Sequence, residues 1–114
     1  MPYLMMQTNQ ELSDTDRNRL LARLSEDTAK ALGKPESYVM VAIEDGVTMS
    51  FAGTKDPLAY IEFKSIGLPD NAIGELSQTL CTAVEAETDI RGDRIYIEFK
   101  NAERHLWGWN HSTF

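Results

Sequence analysis

The chain begins Met1-Pro2. Removal of the initiator methionine exposes a proline whose main-chain nitrogen is a secondary amine. An α-amino group titrates near pH ~7.7–8.0, closer to neutrality than any lysine. The pyrrolidine ring makes it somewhat more basic, so a protein that uses it has to depress its pKa. Burial and a neighbouring cation both do so by disfavouring the charged form. A base tuned towards neutrality and fixed on a strand suits removal of a proton next to a carbonyl. Proline is also common enough, at ~5% of residues, to stand at position two without any such role.

Other reactive types are sparse. Lys34 follows a glycine that ends a helical pattern, so its ammonium lies in a loop from which it can reach a cleft; a lysine there also serves simply to complement the helix dipole. Strand alternation places Tyr96, Glu98 and Lys100 on one face and Ile95, Ile97 and Phe99 on the other. The isoleucine and phenylalanine face is the natural contact for helices, and packing is the plain account of a strand tyrosine. The single cysteine, Cys81, rules out an internal disulfide and reads as a small buried hydrophobe. His105 and His111 lack helical ligand spacing and have no acidic or cysteine cluster beside them, so the sequence predicts no metal site.

Eighteen acidic against eleven basic residues give a formal charge of −7. That balance argues against nucleic acid or an anionic membrane as partner, because phosphate binding rests on clustered lysine and arginine. No apolar run approaches the ~20 residues of a membrane span. No basic segment leads into an apolar one at the amino terminus, so no secretory leader is expected and a cytoplasmic location fits. A length of 114 residues suits one domain, 1–114, with a real core.

The elements that must position Pro2 repeat. Pro2 to Thr8 reads as a strand. Ser13 then looks like a helix N-cap, with Asp16 as its capping-box acid. Leu20, Leu21, Leu24, Thr28, Ala31 and Leu32 form an apolar stripe, ended by Gly33 and Pro35. Tyr38 to Ile43 is a second strand, bounded by Asp45-Gly46. Leu58–Ile66, Asp70–Thr88 and Arg94–Lys100 repeat the strand, helix, strand order at an offset of 56 residues. The pseudo-repeats span about 2–44 and 58–100, followed by a tail, 101–114. Two such units predict an α/β (α+β) fold, with a four-stranded mixed sheet and both helices on one face. Val47 to Phe51 is expected as a short extra strand, and the Trp107-Gly108-Trp109 tail as cover for a sheet edge. The uncovered face and edges predict a ring-symmetric oligomer.

Several short segments carry a resemblance: Met1-Pro2, Thr8-Asn9, Gly33-Lys34-Pro35 with Tyr38, Ser65-Ile66-Gly67, Asp93 to Ile97, and Gly108 to Phe114. In this order and spacing the chain resembles the macrophage migration inhibitory factor and D-dopachrome tautomerase family of the tautomerase superfamily, as a non-vertebrate-looking homologue. The resemblance covers the whole chain. It implies a homotrimer of duplicated βαβ subunits with an active site at each interface. Pro2 would then be the catalytic acid and base of a cofactor-free phenylpyruvate-type keto–enol tautomerase. Lys34 would bind a substrate carboxylate and keep the amine neutral, the Ile66 backbone N–H would be a second donor, and Tyr96 would arrive from the adjacent subunit.

Two single positions and one four-residue segment depart from the family pattern. Glu98 stands where the cytokine members usually have asparagine, at the far end of the substrate. A carboxylate ~6 Å from the amine, at an effective dielectric of ~20, favours the protonated form by roughly 2–3 kcal/mol. With greater distance and water between, that effect nearly vanishes. Trp107 replaces a smaller aliphatic residue at the pocket rim and narrows the entrance. Leu58-Ala59-Tyr60-Ile61 stands where the human cytokine has Cys-x-x-Cys, which excludes thiol–disulfide activity. The alternative reading is a cytokine-like binding or signalling module with vestigial activity. Other proline-amine chemistry, such as decarboxylation or dehalogenation, ranks last, because no arginine is an obvious site residue.

Overall fold

Strand, helix, strand occurs twice along the chain, as the apolar periodicity predicts. A computed structural model describes residues 1–114. The order is β1 (Tyr3–Thr8), α1 (Asp14–Leu32), β2 (Met40–Glu44), β3 (Ala59–Ile66), α2 (Ile73–Glu87), β4 (Ile95–Ala102), β5 (Gly108–Trp109) and β6 (Ser112–Thr113). The mixed four-stranded sheet runs β2-β1-β3-β4, with β1 parallel to β2, antiparallel to β3, and β3 parallel to β4. Alternate residues Leu4, Met6, Ile61 and Phe63 turn to one face, where they pack with Leu20 and Leu24 of α1 and Leu76, Leu80 and Val84 of α2. Each such buried side chain stabilises the fold by roughly 1.5–3 kcal/mol. The opposite face carries Tyr3, Met5, Lys64, Tyr96 and Glu98 and has no layer over it.

The ends of α1 follow the predicted chemistry in part. Ser13 Oγ accepts the Asp16 N–H at 3.1 Å, but Asp16 does not return the bond, its side chain being one methylene shorter than the glutamate of a full capping box. Gly33 closes the helix at φ 62°, its N–H directed at Ala29 and Lys30 carbonyls. Within the stripe, Ala31 is exposed and Ala29 is buried in its place.

Other expectations shift. Tyr38 belongs to a 3-10 turn, Glu36–Tyr38, because its N–H bonds the Pro35 carbonyl at 3.1 Å; the strand starts at Met40. The second helix opens as a 3-10 turn over Asp70–Ala72 and becomes α-helical at Ile73. Val47 to Phe51 is not a strand within this chain. It ends in a bridge between Phe51 and Thr54, closed by Ala52 and Gly53 at positive φ, with no neighbouring strand to pair it. The 56-residue offset holds for the helices, where Leu20 and Leu76, and Leu24 and Leu80, share roles. It slips by one in the first strand, where buried Leu4 corresponds to buried Ile61 rather than to Tyr60. A slip of one residue exchanges the two faces of a strand, so the core enforces the correction.

The tail folds on itself. β5 and β6 form a hairpin whose turn residues, Asn110 and His111, both have positive φ. Trp109 stacks on Phe114 with ring centroids 5.4 Å apart, and Tyr38 meets both rings edge-on. The hairpin therefore lies against the turn that leads into edge strand β2. No helix is long and apolar enough to cross a membrane.

Candidate active site

The start of β1, the end of α1 and the end of β3 converge. Pro2 is buried, and its carbonyl accepts the Met40 N–H at 3.0 Å, which locks the first turn of chain to β2. The αL turn at Gly33 reverses the chain so that Lys34 points back across the sheet. Its Nζ donates to the Ile66 carbonyl at 2.6 Å and to Ser65 Oγ at 3.2 Å. It also hydrogen-bonds the terminal amine. These contacts fix a cation at the place where the chain begins.

With Met1 attached, the terminal amine is that of Met1, and the Pro2 nitrogen is an amide without a basic lone pair. Burial, then the charge and hydrogen bond of Lys34, and then the charge of Arg104 lower this amine from 8.0 to about 6. Burial also lowers the Lys34 ammonium, opposed by its bond to the amine and reinforced by Arg104. Two nitrogens that share a hydrogen bond cannot both remain full cations at low cost. The amine is the one that gives up its proton near neutrality.

Beside this pair lies a cleft of about 640 Å³ lined by Met1, Pro2, Tyr38, Lys64, Trp107 and Trp109 among others. Most of its wall is apolar, and no carboxylate side chain contributes to it. Its size suits a small organic acid. Trp107, half-buried, forms part of the wall.

Of the residues singled out in the sequence, Pro2 and Trp107 line the cleft, and Lys34 meets Ile66 beside the chain start. The contact seen at Ile66 is made by its carbonyl, as acceptor from Lys34. Tyr96 and Glu98 do not join them in one chain. Tyr96 is 64% exposed on β4, with its ring 4.5 Å from that of Phe51, in a separate cleft of about 410 Å³. Glu98 lies 3.7 Å from Lys100, and burial, followed by the charges of Glu98 and Glu62, pushes up the pKa of the Tyr60 hydroxyl. Two basic residues escaped the sequence reading. Arg104 acts on both the amine and Lys34, contrary to the expectation that no arginine serves the site. Lys64 lies opposite Tyr3 in the β1–β3 register and lines the cleft. Alternation in β3 assigns Lys64 a face, whereas only the antiparallel register reveals that this face meets the chain start.

The sequence matches the family described as macrophage migration inhibitory factor (MIF) over residues 1–114. The chain belongs to the MIF family. It is 36% identical over 115 residues to a macrophage migration inhibitory factor homolog from Brugia malayi, covering all of this chain and 99% of that protein. It is 35% identical to the Meriones unguiculatus factor at the same coverage. Among solved structures, the homologue from Prochlorococcus marinus superposes with a TM-score of 0.92 at 41% identity, covering 98% of each chain. That from Toxoplasma gondii gives 0.92 at 31% identity, with 98% and 99% covered. The α+β architecture of four-stranded mixed sheet and two helices is that of these MIF structures.

Proposed function

We propose that this MIF-family chain is a cofactor-free keto–enol tautomerase acting on phenylpyruvate-type α-keto acids, with Pro2 as base and acid once Met1 is removed. The observation that carries this reading is the Lys34 ammonium held beside a terminal amine whose pKa is about 6. The same surroundings would act on a Pro2 amine. Neutral at pH 7, the proline nitrogen takes the proton from the carbon next to the keto group. The C–H electron pair becomes the enolate double bond, and the negative charge moves to the former carbonyl oxygen, which is then protonated. Lys34 attracts the substrate carboxylate and disfavours a protonated amine, so binding and base strength depend on one charge.

A homotrimer fits the same reading. The bare sheet face, with Tyr96 and Glu98 on β4, would be covered by neighbouring subunits, and Tyr96 would reach the cleft of the next protomer. Trp107 narrows the mouth, Glu98 faces the far end of the substrate, and the Ile66 N–H is the second donor. Such a trimer needs no metal, and a cytoplasmic location suits it.

The test is turnover of phenylpyruvate, followed by ultraviolet absorbance, in protein whose intact mass confirms loss of Met1. Insertion of alanine between Met1 and Pro2, and Pro2→Gly, should each abolish or sharply reduce the rate. Full activity in both variants removes Pro2 as the base. A second reading, a cytokine-like binding module, is favoured by family membership and by Leu106 and Trp109 exposed beside the cleft. Negligible turnover together with capture of one specific partner by both native and Pro2→Gly protein supports it instead.

A further inference from the structure

We propose that Ser65 is a positioning residue for the proposed base, its buried hydroxyl fixing the direction in which the Lys34 ammonium faces the start of the chain. The consequence for turnover rests on the tautomerase reading; the placement of Lys34 does not. An ammonium has three N–H donors and no acceptor. In Lys34 one donates to the Ile66 carbonyl at 2.6 Å and a second to Ser65 Oγ at 3.2 Å. The hydrogen bond to the terminal amine takes the third. Because two donors are fastened to the end of β3, the remaining one faces the amine.

The two acceptors are held differently. The Ile66 oxygen is set by the backbone: Gly67 turns the chain at φ 66°, and the Leu68 N–H beyond it donates to Asn101 Oδ1 on β4 at 3.1 Å. Ser65 Oγ is the side-chain acceptor of Lys34, and no carboxylate pairs with the lysine. Ser65 is fully buried, and its own hydrogen is directed at the Ile66 oxygen, 3.4 Å away. Its lone pairs are thereby left to face the ammonium. Loss of the hydroxyl leaves Nζ one fixed acceptor about which to swing, and one group fewer that favours its charged form. Burial already lowers the Lys34 ammonium, so that support matters. Both changes weaken the cation at the chain start, and both therefore raise the affinity of the amine for a proton. Arg104 also acts on the amine, and Lys64 and the hydroxyls of Tyr3 and Tyr38 stand in the wall of the adjoining cleft. None of these is a hydrogen-bond partner of Ser65.

Titration of the terminal amine, followed by the NMR carbon shifts of the first residue, tests this without turnover. In protein that retains Met1, Ser65→Ala should raise the midpoint from about 6 by roughly one pH unit. Ser65→Cys, which keeps the bulk but accepts hydrogen bonds weakly, should do the same. In a Lys34→Met background, Ser65→Ala should leave the midpoint unmoved, because the hydroxyl then has no ammonium to direct. Groups common to all four proteins, those of neighbouring subunits included, cancel in this cycle. A native midpoint in both Ser65 variants overturns the proposal. So does an equal rise with and without Lys34, which is what a serine that merely supports the fold produces. In protein freed of Met1, the same rise in the Pro2 amine and a matching shift in the rising limb of kcat/KM extend the role to catalysis. A midpoint that responds in a protein that does not tautomerise phenylpyruvate refutes the proposed activity and leaves the role of Ser65 intact.

Discussion

The ammonium of Lys34 is fastened to the carbonyl oxygen of Ile66 at 2.6 Å, across the gap between the end of a helix and the end of a strand. That bond holds the lysine near the terminal amine with little freedom to relax away.

Lys34→Met should therefore change the pH dependence of catalysis as well as substrate affinity. The base is active when neutral, so activity rises with pH through the amine pKa. The charge of Lys34 disfavours a protonated amine at the chain start, so without the lysine the pKa of the proposed Pro2 base rises and the rising limb of kcat/KM moves to higher pH. Loss of a charge-assisted hydrogen bond worth about 1.5–3 kcal/mol should also raise KM for carboxylated substrates. A pH–rate profile identical to that of native protein contradicts the coupling.

The same depressed amine links stability to pH. Its pKa is lower in the folded chain than in the unfolded one, so the unfolded state binds more protons between the two values. The contribution is complete above pH 8.0 and declines as pH falls towards about 6. Denaturant midpoints of the Met1-bearing chain should fall across this window, and less so in Lys34→Met.

Gly33→Ala tests the turn that aims Lys34. No atom lies within 4 Å of the position an added Cβ would take, so the cost is purely conformational, from φ 62°. A loss of about 1 kcal/mol is expected from urea unfolding. If the backbone escapes the strain by leaving the left-handed region, Lys34 swings away and KM rises as well.

Thr28 is fully buried in α1, and its hydroxyl has no hydrogen-bond partner. Thr28→Val keeps the shape and removes an unpaired polar atom whose desolvation costs about 1–3 kcal/mol. The variant should be at least as stable as native, with a higher Tm by calorimetry. A drop in Tm indicates a partner for the hydroxyl in solution.

Phe63 sits fully buried on β3, with its ring centroid 5.4 Å from that of Phe99. Phe63→Ala should destabilise the fold by about 3–5 kcal/mol in equilibrium unfolding. Because Lys64 and Ser65 follow directly on the same strand, reduced ligand affinity should accompany the loss.

The architecture was largely legible because its core is periodic. Leu20, Leu24, Leu76 and Leu80 announce two helices with one apolar face each, and Ile95, Ile97 and Phe99 announce the inward side of β4. What escaped was set by partners remote in sequence. Val47 to Phe51 has strand-like residues and no strand beside it within this chain. Tyr38 has β propensity, but Pro35 three residues earlier captures its N–H in a turn. At the candidate site, Pro2 and Lys34 were legible from residue type and position, as was the closing glycine. Arg104 was not, because a 3-10 turn brings it back to the amine, and no periodic signal marks so short an element.

Met1 and Phe114 stand in the wall of the same cleft. The two extremities of the sequence thus act as jambs of one doorway, and anything appended before the one or after the other must leave past it. An affinity tag at either end of this polypeptide consequently alters the wall of the candidate site, and fused and unfused material should be measured side by side.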